Sequence, residues 1–216
     1  MTGVVLLDVD GTLIDSTYLH ALAWERAFET VQVHPQWWRV HQAIGMGGDR
    51  LVAHVAGDQV EAAHGDQLRK LWSREYEAVL EEVRPIDGAA DFVRSLRDAG
   101  LRVTLASSGA PDFTDHALEL LGLHRDDVAA VTTADDADSS KPAPDILQVA
   151  LDRAGGGQAV VIGDSDWDAR AARRLGAPCV GVRTGGFSVG ELRDAGCVDV
   201  RDSVADLVPA DITRLL

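Results

Sequence analysis

Short apolar, β-branched runs alternate with helix-length segments along most of this chain, and that alternation constrains the fold more than any other feature of the sequence. The runs are Val4 to Leu7, Leu101 to Ala106, Val128 to Thr132, Ala159 to Ile162, Cys179 to Val182 and Val198 to Val200. Between most of them lie segments with apolar residues three or four apart, as in Ala89 to Ala99, Phe113 to Leu121, Ile146 to Ala154 and Ala169 to Leu175. Strands that alternate with helices form a parallel sheet covered on both faces, so the expected class is α/β with a Rossmann-like core. Gly100, Gly122, Gly155 and Gly176 sit where helix C-terminal caps should fall.

Residues 15–85 break the pattern. They contain no convincing strand, whereas Leu19, Leu22, Ala23, Arg26 and Ala27 share helical spacing, as do Leu68, Leu71, Trp72, Glu75 and Tyr76. The expected organisation is a core of residues 1–14 and 86–216 with a small α-helical domain, residues 15–85, inserted after the first strand. The Pro85-Ile86-Asp87-Gly88 turn returns the chain to the core.

Composition narrows the function classes. A net charge of −15 would repel nucleic acid and anionic lipid. It does not exclude a small anionic substrate, because a metal and a few local cations can reverse the field within one pocket. The sequence has no apolar run long enough to span a membrane and no signal-peptide pattern at its start. Two sparse cysteines, Cys179 and Cys197, read as reduced, buried thiols. A cytoplasmic protein without nucleic-acid or membrane partners is expected. Lysine is rare, only Lys70 and Lys141 against 18 arginines. A lysine inside a polar motif therefore suggests a need for a compact ammonium.

Four stretches carry chemistry. Asp8-Val9-Asp10-Gly11-Thr12 follows the first strand, and two acids two apart on an extended segment point the same way. They can hold a hard cation, or serve as nucleophile and general acid. Ser107-Ser108-Gly109 ends the strand before it and offers hydroxyls and backbone N–H groups to a phosphate. Lys141 precedes Pro142, which biases it toward an extended pose ahead of a helix. Gly163-Asp164-Ser165-Asp166-Trp167-Asp168 follows another strand, with Asp164 at its end and Asp168 one helical turn on. Each stretch also has an ordinary structural explanation: a polar strand end, a helix N-cap, a solvated loop lysine, acids favoured by a helix dipole. Their shared placement at the carboxyl ends of parallel strands, where open α/β sheets bind ligands, is what distinguishes them.

In this order the four motifs resemble those of the haloacid dehalogenase superfamily, and the resemblance covers essentially the whole chain, helical cap included. It implies a magnesium-dependent phosphatase acting on a small phosphorylated metabolite, such as phosphoglycolate or a sugar phosphate. Asp8 would be the nucleophile that becomes an aspartyl phosphate, and Asp10 the general acid and base. Ser107 and Ser108 would hold phosphoryl oxygens, and Lys141 would neutralise charge between them and Asp8. Asp8, Asp164 and the Asp10 backbone carbonyl would bind Mg2+, with Asp168 orienting the other groups. The metal-free dehalogenases lack the second aspartate of the first motif, which Asp10 supplies here. A β-phosphoglucomutase-like phosphomutase is the alternative, because His20 and Trp24 match its cap. The Gly163-Asp164 pair and the loop of residues 44–50 depart from its pattern. Within the cap, His20, Gly47, Asp49 and Arg50 are the expected specificity residues. A monomer is expected, since the cap shields the site within one chain.

Overall fold

The computed structural model describes residues 3–216. A six-stranded parallel sheet forms its centre, in the order β5-β4-β1-β6-β7-β8. The strands are β1 (Val4–Leu7), β4 (Arg102–Ala106), β5 (Ala130–Thr132), β6 (Ala159–Gly163), β7 (Cys179–Val182) and β8 (Cys197–Arg201). A separate two-stranded antiparallel ribbon pairs β2 (Ile14–Asp15) with β3 (Arg84–Pro85). Among the described residues the α-helices are α1 (Thr17–Thr30), α2 (Trp37–Ala43), α3 (Gly48–Ala56), α4 (Asp58–Glu77), α5 (Ala89–Asp98), α6 (Pro111–Leu120), α7 (Asp145–Arg153), α8 (Asp166–Leu175), α9 (Val189–Ala195) and α10 (Pro209–Thr213).

β1 lies between β4 and β6, pairing Val4 with both Arg102 and Ala159. All four of its residues are fully buried. Successive side chains of a strand point to opposite faces. Val5 and Leu7 accordingly pack into one apolar cluster, with Phe92, Val93 and Leu96 of α5, Leu118 of α6 and Ile212 of α10. Val4 and Leu6 pack into the other, with Ile146 and Leu147 of α7, Ala169 of α8 and Leu192 of α9. A strand buried on both faces must be apolar at every position, which is why VVLL shows no alternation. α8 stops where Gly176 adopts φ 82°, a left-handed conformation that glycine enters without steric cost.

α1 to α4 build a third cluster from Trp24, Phe28, Val40, Leu51, Val52 and Leu68. The β2–β3 ribbon joins the two ends of this segment to the core. Its two-residue strands are too short to leave a periodic pattern. No described helix is long and apolar enough to cross a membrane.

Candidate active site

The loops after β1, β4 and β6 converge at the carboxyl edge of the sheet. Asp8 is held in place by its backbone N–H, which donates to the Ile162 carbonyl at 2.9 Å. Beyond it the chain turns at once: Gly11 adopts φ 75°, and Leu13 N–H returns to the Val9 carbonyl at 2.8 Å. The turn sends Asp8 and Asp10 to different partners. Asp8 Oδ1 accepts from Lys141 Nζ. Asp10 Oδ1 accepts from Ser16 Oγ at 2.6 Å and lies 2.9 Å from His20 Nε2, the histidine at the start of α1.

Lys141 is fully buried and also meets Asp168 Oδ1 at 2.7 Å. Asp168 turns its other oxygen back to Ser165, accepting from the backbone N–H at 3.1 Å and the hydroxyl at 2.6 Å. It thereby caps α8 and anchors the lysine together. Asp164 Oδ1 accepts from Thr12 Oγ1 at 3.2 Å. Oxygens of Asp8, Asp164 and Asp168 lie within 4.8 Å of one another. Asp10, placed among the metal ligands by the sequence reading, keeps its carboxylate outside this group; its expected ligand atom is the backbone carbonyl.

Three buried carboxylates facing one ammonium leave an excess of two negative charges when all three are ionised. Burial above all, helped by the negative charges of Asp168 and Asp10, pushes the Asp8 carboxyl up to about 7, despite the opposing pull of Lys141. Asp164 is likewise raised, by burial and then by Asp8 and Asp168. Lys141 moves upward because the two carboxylates outweigh the burial that opposes its charge. Asp10 is displaced in the opposite sense: burial would raise it, but His20 and Ser16 together hold it below the usual carboxylate range. An all-oxygen donor set with a surplus of two charges fits a hard divalent cation such as magnesium.

Above this edge lies a cavity of about 330 Å³, to which both Asp8 and Asp10 are open. Its floor includes Ser108 and Gly109, and its far walls come from the segment 20–72. Ser107 is buried beneath, with its hydroxyl oxygen accepting from Gly109 N–H at 3.0 Å. That leaves the hydroxyl hydrogen available to a phosphoryl oxygen. Contacts between the helical segment and the core close the cavity. Trp167 Nε1 donates to the Gln42 carbonyl at 2.8 Å, Ser140 N–H to Asp49 Oδ2 at 3.3 Å, and His41 Nε2 lies 3.0 Å from the Gly185 carbonyl.

Gly47, Asp49 and His20 line the cavity, whereas Arg50 does not. Its side chain is 41% exposed and lies 3.7 Å from Asp49. The arginine at the cavity wall is instead Arg69 of α4. Trp72 and Tyr76 were visible in the sequence only as members of a helical stripe, and Arg69 was not singled out. Tyr76 stacks on the His20 ring at a centroid distance of 3.9 Å, and Trp72 stacks on Trp24 at 5.4 Å. The stripe shows that one helix face is buried; it does not show that the face meets a histidine 56 positions earlier.

A sequence model described as haloacid dehalogenase-like hydrolase matches residues 2–176. The phosphoglycolate phosphatase of Escherichia coli (strain K12) is 31% identical over 231 residues, spanning 95% of this chain and 91% of its own. A solved hydrolase from Pseudomonas syringae is 31% identical, with a TM-score of 0.90 and 96% of each chain covered. The β-phosphoglucomutase of Clostridium difficile shares the fold at 16% identity, with a TM-score of 0.81 over 96% of this chain and 93% of its own.

Proposed function

This chain belongs to the haloacid dehalogenase-like hydrolases and is a phosphatase; we propose that it hydrolyses a small phosphate monoester through a phosphorylated Asp8, with magnesium as cofactor. The observation that carries this reading is the division between the two acids of the first motif. Asp8 faces a buried ammonium and the acidic cluster, while Asp10, open to the same cavity, is held by His20 and Ser16. One carboxylate is arranged to attack and the other to move a proton.

In the first half-reaction an Asp8 oxygen attacks phosphorus, and the ester oxygen leaves as the alcohol with a proton from Asp10. His20, 2.9 Å from Asp10 Oδ1, shares that proton with a carboxylate that otherwise favours its ionised form. In the second half-reaction ionised Asp10 takes a proton from water as the water oxygen attacks phosphorus; the bond between phosphorus and the Asp8 oxygen breaks, and inorganic phosphate and free Asp8 result. Lys141 stays beside Asp8 throughout and offsets the phosphoryl charge, while the Ser107 hydroxyl and the Ser108 backbone N–H hold phosphoryl oxygens. Asp8 and Asp164, with Asp168 close by and the Asp10 carbonyl, would hold magnesium, which when bound supplies further positive charge at the phosphoryl group. Residues 15–85 act as a cap that seals the cavity and contributes Gly47, Asp49 and His20 to it.

Excess chelator should stop turnover of p-nitrophenyl phosphate, and magnesium should restore it. Calcium should bind without supporting turnover, because its larger and looser shell spoils the in-line geometry. Full activity in chelator would rule out the metal-dependent mechanism.

A second expected result concerns Gly185, which follows β7 and covers Asp164. A Cβ there would fall 1.7 Å from Asp164 Oδ2. Gly185→Ala should therefore push the carboxylate out of place and weaken magnesium binding by about tenfold or more. The midpoint of a magnesium titration followed by thermal melting measures this directly. An unchanged midpoint would remove Asp164 from the metal site.

A further inference from the structure

The polarity of the cavity beyond the phosphoryl site limits what the leaving group can be. Its far walls are largely apolar and aromatic, formed by Trp24, Trp72, Ile44 and Met46. Trp24 and Trp72 lie stacked, with their planes 17° apart. Among the described lining residues the one arginine or lysine is Arg69. Its guanidinium is already committed: Nη1 donates to the Gly48 carbonyl at 3.0 Å and to Glu61 at 3.0 and 3.2 Å, and Nη2 donates to Asp66 at 2.8 Å. Two carboxylates thus compensate a single positive charge. The other cationic candidate, His20, is engaged with Asp10.

The remaining charged groups in this part of the cavity are acids. Asp49 lines it from the start of α3, and Asp138 from the loop after β5. Asp49 receives one weak backbone hydrogen bond, from Ser140 at 3.3 Å, and a long ion pair at 3.7 Å from Arg50, which does not line the cavity; Asp138 has no hydrogen bond or ion pair among the described residues. A carboxylate or second phosphate on the leaving group would lose its water and meet these acids with no free cation to receive it. A hydroxyl or ammonium would find acceptors in Asp49 and Asp138, and its carbon skeleton would find the indole walls.

We propose that the preferred ester has a leaving group with no negative charge of its own: a neutral or cationic alcohol whose hydroxyl or amine hydrogens are accepted by Asp49 and Asp138. This rests on the phosphatase reading above and specifies its substrate class. It selects against carboxylated esters such as phosphoglycolate. It also selects against bisphosphates, and so favours hydrolysis over phosphoryl shuttling between two ends of one sugar.

The test is a comparison of kcat/KM, with saturating magnesium, for three esters of similar size: 2-phosphoglycolate, 2-hydroxyethyl phosphate and O-phosphoethanolamine. p-Nitrophenyl phosphate serves as the generic ester. The two non-acidic esters should exceed 2-phosphoglycolate by about tenfold or more, the scale set by leaving a buried charged group without a partner. The hydroxyethyl and aminoethyl arms then separate a neutral from a cationic preference, and either order agrees with the proposal. Asp49→Asn and Asp138→Asn should each narrow the gap to 2-phosphoglycolate, because each removes one repelling charge. A kcat/KM for 2-phosphoglycolate equal to or above both others would overturn the proposal while leaving the phosphatase reading intact. A gap unchanged in both variants would overturn the roles given to the two acids. Inactivity toward all four esters would overturn the phosphatase reading, and this one with it.

Discussion

Asp8→Asn should lower turnover by at least about 10³-fold while leaving a folded protein, because a nucleophile and its supporting groups fail as a unit. The substitution is nearly isosteric, so packing around the first motif survives. What is lost is an attacking oxygen and one of three clustered carboxylates. The same variant has a stability signature that an ordinary buried polar residue would not give. Burial raises Asp8 in the folded state to about 7, from an ordinary value of 3.8. The folded protein therefore holds this proton more tightly than the unfolded chain does. In chelator, stability contributed at this position is present at low pH and is lost as pH rises from about 4 to about 7. Asparagine has no proton to lose. The variant should melt with the wild type near pH 4 and above it near pH 8, both without metal. With magnesium the order at pH 8 should reverse, since the wild type gains the stabilisation of a bound cation and the variant loses most of it. Retention of more than about one tenth of wild-type turnover, against the losses usual for single catalytic groups, would exclude Asp8 as the nucleophile.

The parts of this molecule that could be read from sequence are those whose burial leaves a repetitive mark. β1 is apolar at every position because helices cover both faces, and VVLL shows it. α8 announces its end with Gly176. The short elements were harder to read. α2 spans seven residues, and its two tryptophans, Trp37 and Trp38, are each more than half exposed while Val40 and Ala43 carry the packing. A reader who places aromatics inside would rotate that helix. The β2–β3 ribbon is defined by the pairing of Ile14 with Pro85 and Asp15 with Arg84, far apart in the chain, which no local pattern encodes.

The site divides in the same way. Asp8, Ser107 and Asp164 each follow a strand directly, and Asp10 comes two residues after Asp8, so a correct sheet brings them to one edge. Lys141 reaches the same place from a loop, and its rarity in an arginine-rich chain was the clue. The partners supplied by α4 could not be assigned, because helical spacing reports that a face is buried and not what covers it. Arg50 and Arg69 illustrate this. Arg50 lies beside the glycines of the cap loop, yet its side chain turns to the surface. Arg69, 19 positions later, reaches back across to the Gly48 carbonyl. His20 was expected to read the substrate; in the structure its ring nitrogen also lies 2.9 Å from Asp10 Oδ1, a contact on which the proposed proton movement draws.

Lys141 offers the other large effect, and its variants separate charge from shape. The side chain is 0% exposed and lies between Asp8 and Asp168. Removing the one buried cation among three carboxylates should cost about 3–5 kcal/mol of metal-free stability, the range for breaking a buried ion pair from one side. Lys141→Met keeps the length of the stem and loses only the charge. It should lower turnover by about 10³-fold, on the scale of losing a principal charge-stabilising group. Its effect on magnesium should have the opposite sign. With the ammonium gone, the acidic cluster attracts a divalent cation more strongly, so the variant should bind magnesium at least as tightly as the wild type and be restabilised by it. A lysine that merely supported the fold would lose metal affinity and activity together. Lys141→Arg preserves the charge but brings a planar fork into a space shaped for a compact ammonium. It should lose nearly as much activity as Lys141→Met, with little change in net charge at the site. Steady-state kinetics together with magnesium titrations monitored by thermal melting distinguish these cases. Near-normal turnover in the arginine variant would show that Lys141 acts only as a distant positive charge.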